Sequence, residues 1–239
     1  MNRFQGTISK DYDLVILALP FYDESQNKLA EVIADHYASP VVLDIGLGTG
    51  LTTRAIVQRN PQCVVMGVDN ELLMIEQARN NLSSEVKRGS VQVHYSDALT
   101  YIQSLPDASV DVVASSYTIH NCPEEYRVLL GADIFRVLKP GGMFINNDKY
   151  GAEDRREYVK EMAEQIFRYD VLRDKGRDDL RRLWIEHEIE DGLPERIMWL
   201  GESLEQLKTV GFVNIRVVKR VGQYAIVAAC KATPTKVVP

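Results

Sequence analysis

Between Val41 and Asp148, short runs of branched apolar residues alternate with longer segments whose apolar residues recur every three or four positions. A short continuous run suits a strand buried on both faces, and the longer period suits an amphipathic helix. Their alternation predicts a parallel sheet with helices on both sides. The predicted strands are Val41–Ile45, CVVMGVD ending at Asp69, VQVHY, SVDVVASS and MFINND. Helices are predicted to begin near Leu51, to span Glu71 to Leu82, and to end in RVLKPGG. Upstream, Leu29, Val32, Ile33 and Tyr37 fall on one helical stripe. Downstream, Ala152 to Trp199 is dense in charged and aromatic residues and predicts a helical insert before a last helix at Ser203–Val210. FVNIRVVKR and QYAIVAACK, joined through Val-Gly, predict an antiparallel hairpin. The organisation expected is one α/β domain: residues 1–39 a lid and helix, 40–150 the core, 151–200 the insert, and 201–239 the last helix and hairpin. The closing ATPTKVVP is expected to fray.

At 239 residues, 45% of them apolar, the chain can bury one sizeable core. Its longest apolar stretches, such as Val110–Val113 and Ala225–Ala229, fall far short of the roughly 20 residues that cross a bilayer. The start MNRFQGTISKDYD has no apolar signal region, so a cytoplasmic enzyme without a membrane partner is expected. Cys63, Cys122 and Cys230 show no CxxC or Cys/His spacing; reduced thiols and no metal site are expected. A net charge of −6 and the absence of a basic cluster argue against a nucleic-acid partner. A homodimer is compatible with the composition.

The sharpest chemical signal is VVLDIGLGTG, a strand ending in Asp44 and turning through Gly46, Gly48 and Gly50 into a helix. Glycine lets the backbone turn tightly and lets a ligand approach the strand end. The nicotinamide fingerprint GxGxxG would need glycine at position 51, where this chain has Leu51. Asp44 stands two places before the first glycine; a carboxylate there repels a pyrophosphate and attracts the ammonium of a methionine moiety. Asp69, after the second strand, offers two acceptor oxygens to a ribose diol. Asp97, after the third, can accept from an adenine amine. Each Asp alone also reads as a turn or cap residue. Together, in this order, they favour S-adenosylmethionine.

With the loop DIGLGTG, then VDN, SDAL, SVDVVASS and RVLKPGG in that order, the chain resembles the class I S-adenosylmethionine-dependent methyltransferases, from Val41 to about Asp148 and again at the closing hairpin. The resemblance implies a Rossmann-like, mostly parallel sheet of seven strands, the last antiparallel, with the helical insert over the active site. It implies cofactor contacts from Asp44, Gly46, Gly48, Asp69 and the adjoining Asn70, Asp97 with Ala98, and Ser115 near the end of the fourth strand. The opening DYD and PFYDE are similar to the lid of small-molecule members, which would set Tyr12 and Tyr22 over the sulfonium. NNDKY and the acidic insert are similar to the branch that includes carboxy-S-adenosylmethionine synthase. That branch secures a carboxylate with an arginine of the insert, where this chain has IEHEIEDG.

The reacting end is expected among Tyr12, Tyr22 and Tyr117, whose rings can face a sulfonium, and His120, a candidate base. SSYTIHNCP is not the [DN]PP[YF] motif of adenine, cytosine or glutamine amino-group methylation. Asn121, Asp148, Lys149 and Tyr150 are candidate contacts to a small-molecule acceptor, at the sheet edge where open α/β sheets bind ligands. The acidic run 186–192 belongs to the insert expected to roof the acceptor site; a charged face of this kind is usually solvated, and only its location is assigned. Two rivals remain: a non-methylating enzyme that cyclises, cleaves or modifies S-adenosylmethionine, and a binding module that retains the fold without turnover.

Overall fold

The computed structural model describes residues 7–233. Residues 1–6, part of the signal-region reading, and 234–239, most of the segment expected to fray, lie outside the described residues. Seven strands form one sheet: β1 Val41–Ile45, β2 Val64–Asp69, β3 Val91–Tyr95, β4 Val110–Ser116, β5 Leu138–Lys149, β6 Phe212–Val221 and β7 Tyr224–Lys231. Their order is β3-β2-β1-β4-β5-β7-β6. The pairs from β3 through β5 are parallel, and β7 runs antiparallel to both β5 and β6. The expected α/β architecture, mostly parallel with a closing hairpin, is the one observed.

Strand alternation sends successive side chains of β1 to opposite layers. Val42 packs with Leu29 and Ile33 of α2 (Tyr22–His36) and Ile56 of α3 (Leu51–Arg59). Leu43 and Ile45 pack with Ile102 of α6 (Ala98–Ser104) and with Leu130 and Ile134 of α7 (Glu124–Val137). Asp44 shares the Val42 face and is therefore carried into the interior. Predicted helix 71–82 is observed as α4 (Leu72–Asn81), followed directly by α5 (Ser83–Arg88). The seven-residue α6 has no counterpart in the periodicity, because Ile102 alone of its residues is fully buried. It starts where Asp97 accepts from the Thr100 N–H at 3.0 Å, a side-chain N-cap.

Ahead of α2 lie α1 (Thr7–Lys10) and a 3₁₀ helix, Tyr12–Ala18. The insert forms α8 (Arg155–Arg168), α9 (Asp170–Asp174) and α10 (Asp178–Asp191), and α11 (Leu200–Val210) then leads back to the sheet. N-terminal segment and insert share a small core of their own, in which Ile8, Val15 and Ala18 meet Tyr169, Leu172, Leu180 and Trp184. Gln165 donates to the Ala18 carbonyl at 3.2 Å, and Arg177 pairs with Asp11 at 2.9 Å. Two segments distant in sequence thus form one roof. Among the described residues no helix is long and apolar enough to cross a membrane.

Trp184→Ala removes the indole that packs on both Tyr12 and Tyr169 within that roof. Hydrogen exchange of the 12–18 amides is expected to quicken at least about tenfold, as befits losing part of the roughly 3–5 kcal/mol of a buried tryptophan, while β1 stays protected. Equal loss of protection in both would show that the roof does not open separately.

Candidate active site

After β3 the chain crosses back to lay β4 on the other side of β1, so the connections leave β1 and β4 in opposite directions and a crevice opens at their carboxyl ends. A cavity of about 350 Å³ lies there, lined by the turn after β1, by Asp69 at the end of β2 with Asn70 and Glu71, by Ser96, Asp97 and Ala98 after β3, and by Ser116 at the end of β4 with Tyr117, Thr118, residues 121–123 and Tyr126 beyond it. Its size falls in the range of about 300–1,000 Å³ usual for small-molecule sites.

The turn approaches β4 so closely that a Cβ on Gly46, which also has φ 72°, would overlap the Thr118 side chain. Gly48, at φ 55°, differs: a Cβ there would meet only the Gly46 carbonyl, at 4.0 Å, so its absence widens the cavity. Asp69 is held to this turn, its Oδ2 accepting from the Gly48 N–H and its Oδ1 from the Glu71 N–H, both at 2.8 Å. Burial raises the pKa of its carboxyl, partly offset by those bonds. Asp97 lines the cavity while capping α6, and its Oδ2 accepts from the Tyr126 hydroxyl at 2.9 Å. That hydroxyl in turn accepts from the Leu99 N–H at 2.8 Å.

Asp44 stands behind the glycine turn and is not among the lining residues. It is fully buried; Oδ2 accepts from Thr53 Oγ1 at 2.6 Å and Oδ1 has no hydrogen-bond partner. Burial pushes its carboxyl up to about 7, against the lowering effect of the Thr53 bond and with a further rise from Asp69. Ser115 likewise points away, donating to the Ile45 carbonyl at 3.0 Å; its neighbour Ser116 lines the cavity.

Tyr12 and Tyr117 both face the cavity. Burial holds both phenols neutral, that of Tyr117 pushed up to about 12. Tyr117 has φ 51°, a left-handed conformation costing a bulky residue on the order of 1–3 kcal/mol, and is fixed there by its N–H to the Asn147 carbonyl at 2.8 Å. Tyr22 does not reach the cavity; it stacks behind Tyr117 with ring centroids 5.5 Å apart.

The remaining candidates divide. Asn121 lines the cavity and donates to the Tyr117 and Thr118 carbonyls at 3.3 Å. His120, Asp148, Lys149 and Tyr150 form a separate buried cluster beneath the insert. Asp148 Oδ1 accepts from His120 Nδ1 at 2.5 Å. Lys149 pairs with Glu188 at 2.7 Å and Asp191 at 2.8 Å. Burial alone would lower the Lys149 pKa, but Asp191 and Glu188 outweigh it and hold the pKa well above its ordinary value. Tyr150 accepts from Asn146 Nδ2 at 2.8 Å. His120 borders two small cavities, of about 20 and 30 Å³, and the second of these also touches Tyr12 and Tyr117.

Within residues 186–192, where a solvated face is usual, His187, Glu188 and Asp191 are buried, because one face of α10 packs onto the ends of β5 and β7. Sequence reasoning also passed over Thr118 and Tyr126, whose roles depend on strand neighbours rather than on a local pattern.

Residues 42–142 match the family described as a methyltransferase domain. The chain is 27% identical to the carboxy-S-adenosyl-L-methionine synthase of Shewanella loihica, over 96% of this chain and 91% of that protein. It is 25% identical to the one of Nautilia profundicola, over 92% and 89%. Its fold is similar to that of a SAM-dependent methyltransferase from Aquifex aeolicus, with TM-score 0.59, 20% identity and coverage of 92% and 97%. It is also similar to human N-acetylserotonin methyltransferase in complex with SAM, with TM-score 0.62, 16% identity and coverage of 91% and 54%.

Because the folded protein holds the Asp44 proton more tightly than the unfolded chain does, this group favours the ligand-free fold below about pH 4, and that advantage is lost as pH rises to about 7. Asp44→Asn keeps an acceptor for Thr53 without the charge. Its unfolding free energy relative to the parent protein is expected to gain about 1.4 kcal/mol per pH unit across that window and to level off above it, measured by urea denaturation. A pH-independent difference would contradict the assigned burial.

Proposed function

We propose that the chain is a class I S-adenosylmethionine-dependent methyltransferase with S-adenosylmethionine as its cofactor, and that a small-molecule acceptor is methylated by in-line displacement beneath the N-terminal segment and the insert. One observation carries the reading: a single cavity gathers strand-end groups from β1, β2, β3 and β4, each suited to a different part of one adenosyl sulfonium.

The residues fit that group. Gly48 leaves open the space against the turn. Asp44 Oδ1, buried without a partner, is a charge acceptor behind the turn on the side assigned to the methionine ammonium. Asp69 spends one lone pair of each oxygen on the turn and keeps acceptor capacity for a ribose diol. Asp97, beside Ala98, accepts at the adenine edge while Tyr126 holds it in place.

When bound, the cofactor supplies a methyl group on a cationic sulfur. Tyr12 and Tyr117 present neutral rings to that end of the cavity and stabilise the cation by cation–π attraction, worth about 2 kcal/mol when desolvated. Tyr22, stacked behind, fixes the Tyr117 ring. Ser116 accepts from Gln26 at 2.8 Å and from Asn147 at 3.0 Å, pinning α2 to the strand ends. The acceptor side is the space of about 30 Å³ bounded by Tyr12, Leu19, Tyr117 and Trp184, too small for more than a water or two. Acceptor entry therefore requires the roof to part, and its return excludes water from the displacement. Rate comes chiefly from this positioning.

A second reading, modification of the cofactor's own methyl group, is favoured by the names of the relatives that match along nearly the whole chain. Against it, the side chains that α10 turns inward beside Lys149 are Glu188 and Asp191, which already pair with that ammonium and bring no cationic side chain of their own for an added carboxylate.

Incubating the protein with S-adenosylmethionine, with and without cell extract, separates the readings by mass spectrometry. S-adenosylhomocysteine formed only with extract is expected. A heavier sulfonium or methylthioadenosine would replace methyl transfer by the second reading or by cleavage. Tyr12→Phe is expected to keep cofactor affinity and Tyr12→Leu to weaken it about 10- to 30-fold in calorimetry; equal affinities would remove the ring from the sulfonium site.

A further inference from the structure

His187 and Asp191 lie one turn apart on α10 and point the same way, toward His120 in the 3₁₀ turn Ile119–Asn121 that follows β4. One potential ligand atom from each of the three lies within 4.8 Å of the others, and the side chains are 6%, 7% and 8% exposed for His187, Asp191 and His120. Asp191 Oδ2 stands 3.6 Å from His120 Nε2 and 3.7 Å from His187 Nε2. We propose that His120, His187 and Asp191 bind one divalent transition-metal cation.

The spacing is the first argument. At 3.6–3.7 Å these atoms are too far apart for hydrogen bonds. Ligands held about 2.0–2.2 Å from a common cation at tetrahedral angles stand about 3.3–3.6 Å apart, so a small inward movement completes the set.

Orientation is the second. His120 Nδ1 donates to Asp148, which leaves the Nε2 lone pair directed at Asp191. A ring nitrogen bound to a carboxylate, with its other nitrogen aimed into a cluster of donors, is the usual arrangement around a metal-ligating histidine. Asp148 also accepts from the His120 backbone N–H at 3.2 Å, so ring and backbone are held together.

Charge is the third. The buried set contains Asp148, Glu188 and Asp191 against the ammonium of Lys149. Carboxylates outnumber the ammonium in this set, so a divalent cation placed between His120, His187 and Asp191 meets a surround of opposite sign. Lys149 shares Asp191 Oδ2 and retains Glu188, so it serves as the hydrogen-bonded support of a ligating carboxylate.

Two imidazoles and one carboxylate suit zinc, iron(II), cobalt or manganese. Three protein ligands leave a position open, and the cavity of about 30 Å³ touching His120 and His187 reaches Tyr12 and Tyr117. If the methyl-transfer reading holds, an oxygen acceptor bound at that position would release its proton to water more readily, so that His120 would serve as a ligand and not as the expected base. Metal binding itself does not depend on that reading.

The test is titration of the chelator-stripped full chain with Co²⁺, followed by visible absorption and by metal analysis after dialysis. One Co²⁺ per chain is expected. His187→Gln and Asp191→Asn should each weaken binding at least about tenfold, and His36→Gln, a surface substitution, should leave it unchanged. Should either variant fail to fold, X-ray absorption of the Co²⁺-loaded parent protein decides, with imidazole scattering from the first shell expected. No stoichiometric binding, binding that survives both substitutions, or a first shell without imidazole would overturn the site. S-adenosylmethionine affinity, measured on the stripped protein, tests the cofactor reading separately.

Discussion

The reversal of strand order between β1 and β4 is the constraint on which the rest depends. Parallel neighbours whose connections leave in opposite directions cannot close over their own carboxyl ends, so a crevice persists that no side chain of the sheet fills. The Gly46 turn keeps the two strand ends in contact through Thr118, and the Gly48 turn keeps the cavity beside them open. Asp69 binds the turn to β2, and Asp97 with Tyr126 binds α6 to α7. The groups that line the cavity are therefore the same groups that hold the crevice walls, and at Asp97 cap and lining coincide.

Burial sets the electrostatics of this site. Asp44 lies behind the turn because β1 alternation sends it to the α2 and α3 layer, where Thr53 is its hydrogen-bonding neighbour. A desolvated carboxyl at the back of a cavity gains from a cation that reaches it, so its cost in the empty protein and its attraction for an ammonium have one origin. On the other side of the crevice, the roof made by the N-terminal segment and the insert carries Tyr12 and closes over Tyr117, and its inner face is polar where α10 meets β5.

The middle of the sheet was legible because the buried parallel strands β1, β2 and β4 read as near-continuous apolar runs; β5 starts earlier than expected, at Leu138, so that LKPGG is strand and not the end of a helix. The cavity lining from Gly46, Gly48, Asp69, Asn70, Asp97 and Ala98 was legible because each residue follows a strand directly. Asp44 and Ser115 are strand residues, and strand parity sends them behind the lining. Tyr22 was placed one layer too near the ligand, since nothing local shows that Tyr117 stands in front of it. The burial of His187, Glu188 and Asp191 was not legible because composition cannot tell which side of a helix its fold will cover. Their convergence on His120 is a tertiary fact.

The central claim is that the glycine turn, Asp69 and Asp97 surround one adenosyl group. Crystals soaked with S-adenosylhomocysteine test it most directly. Density for ribose at the Asp69 carboxylate and for adenine beside Asp97 and Ala98 is expected. Density elsewhere, or an empty crevice that a nicotinamide dinucleotide then fills, would contradict it.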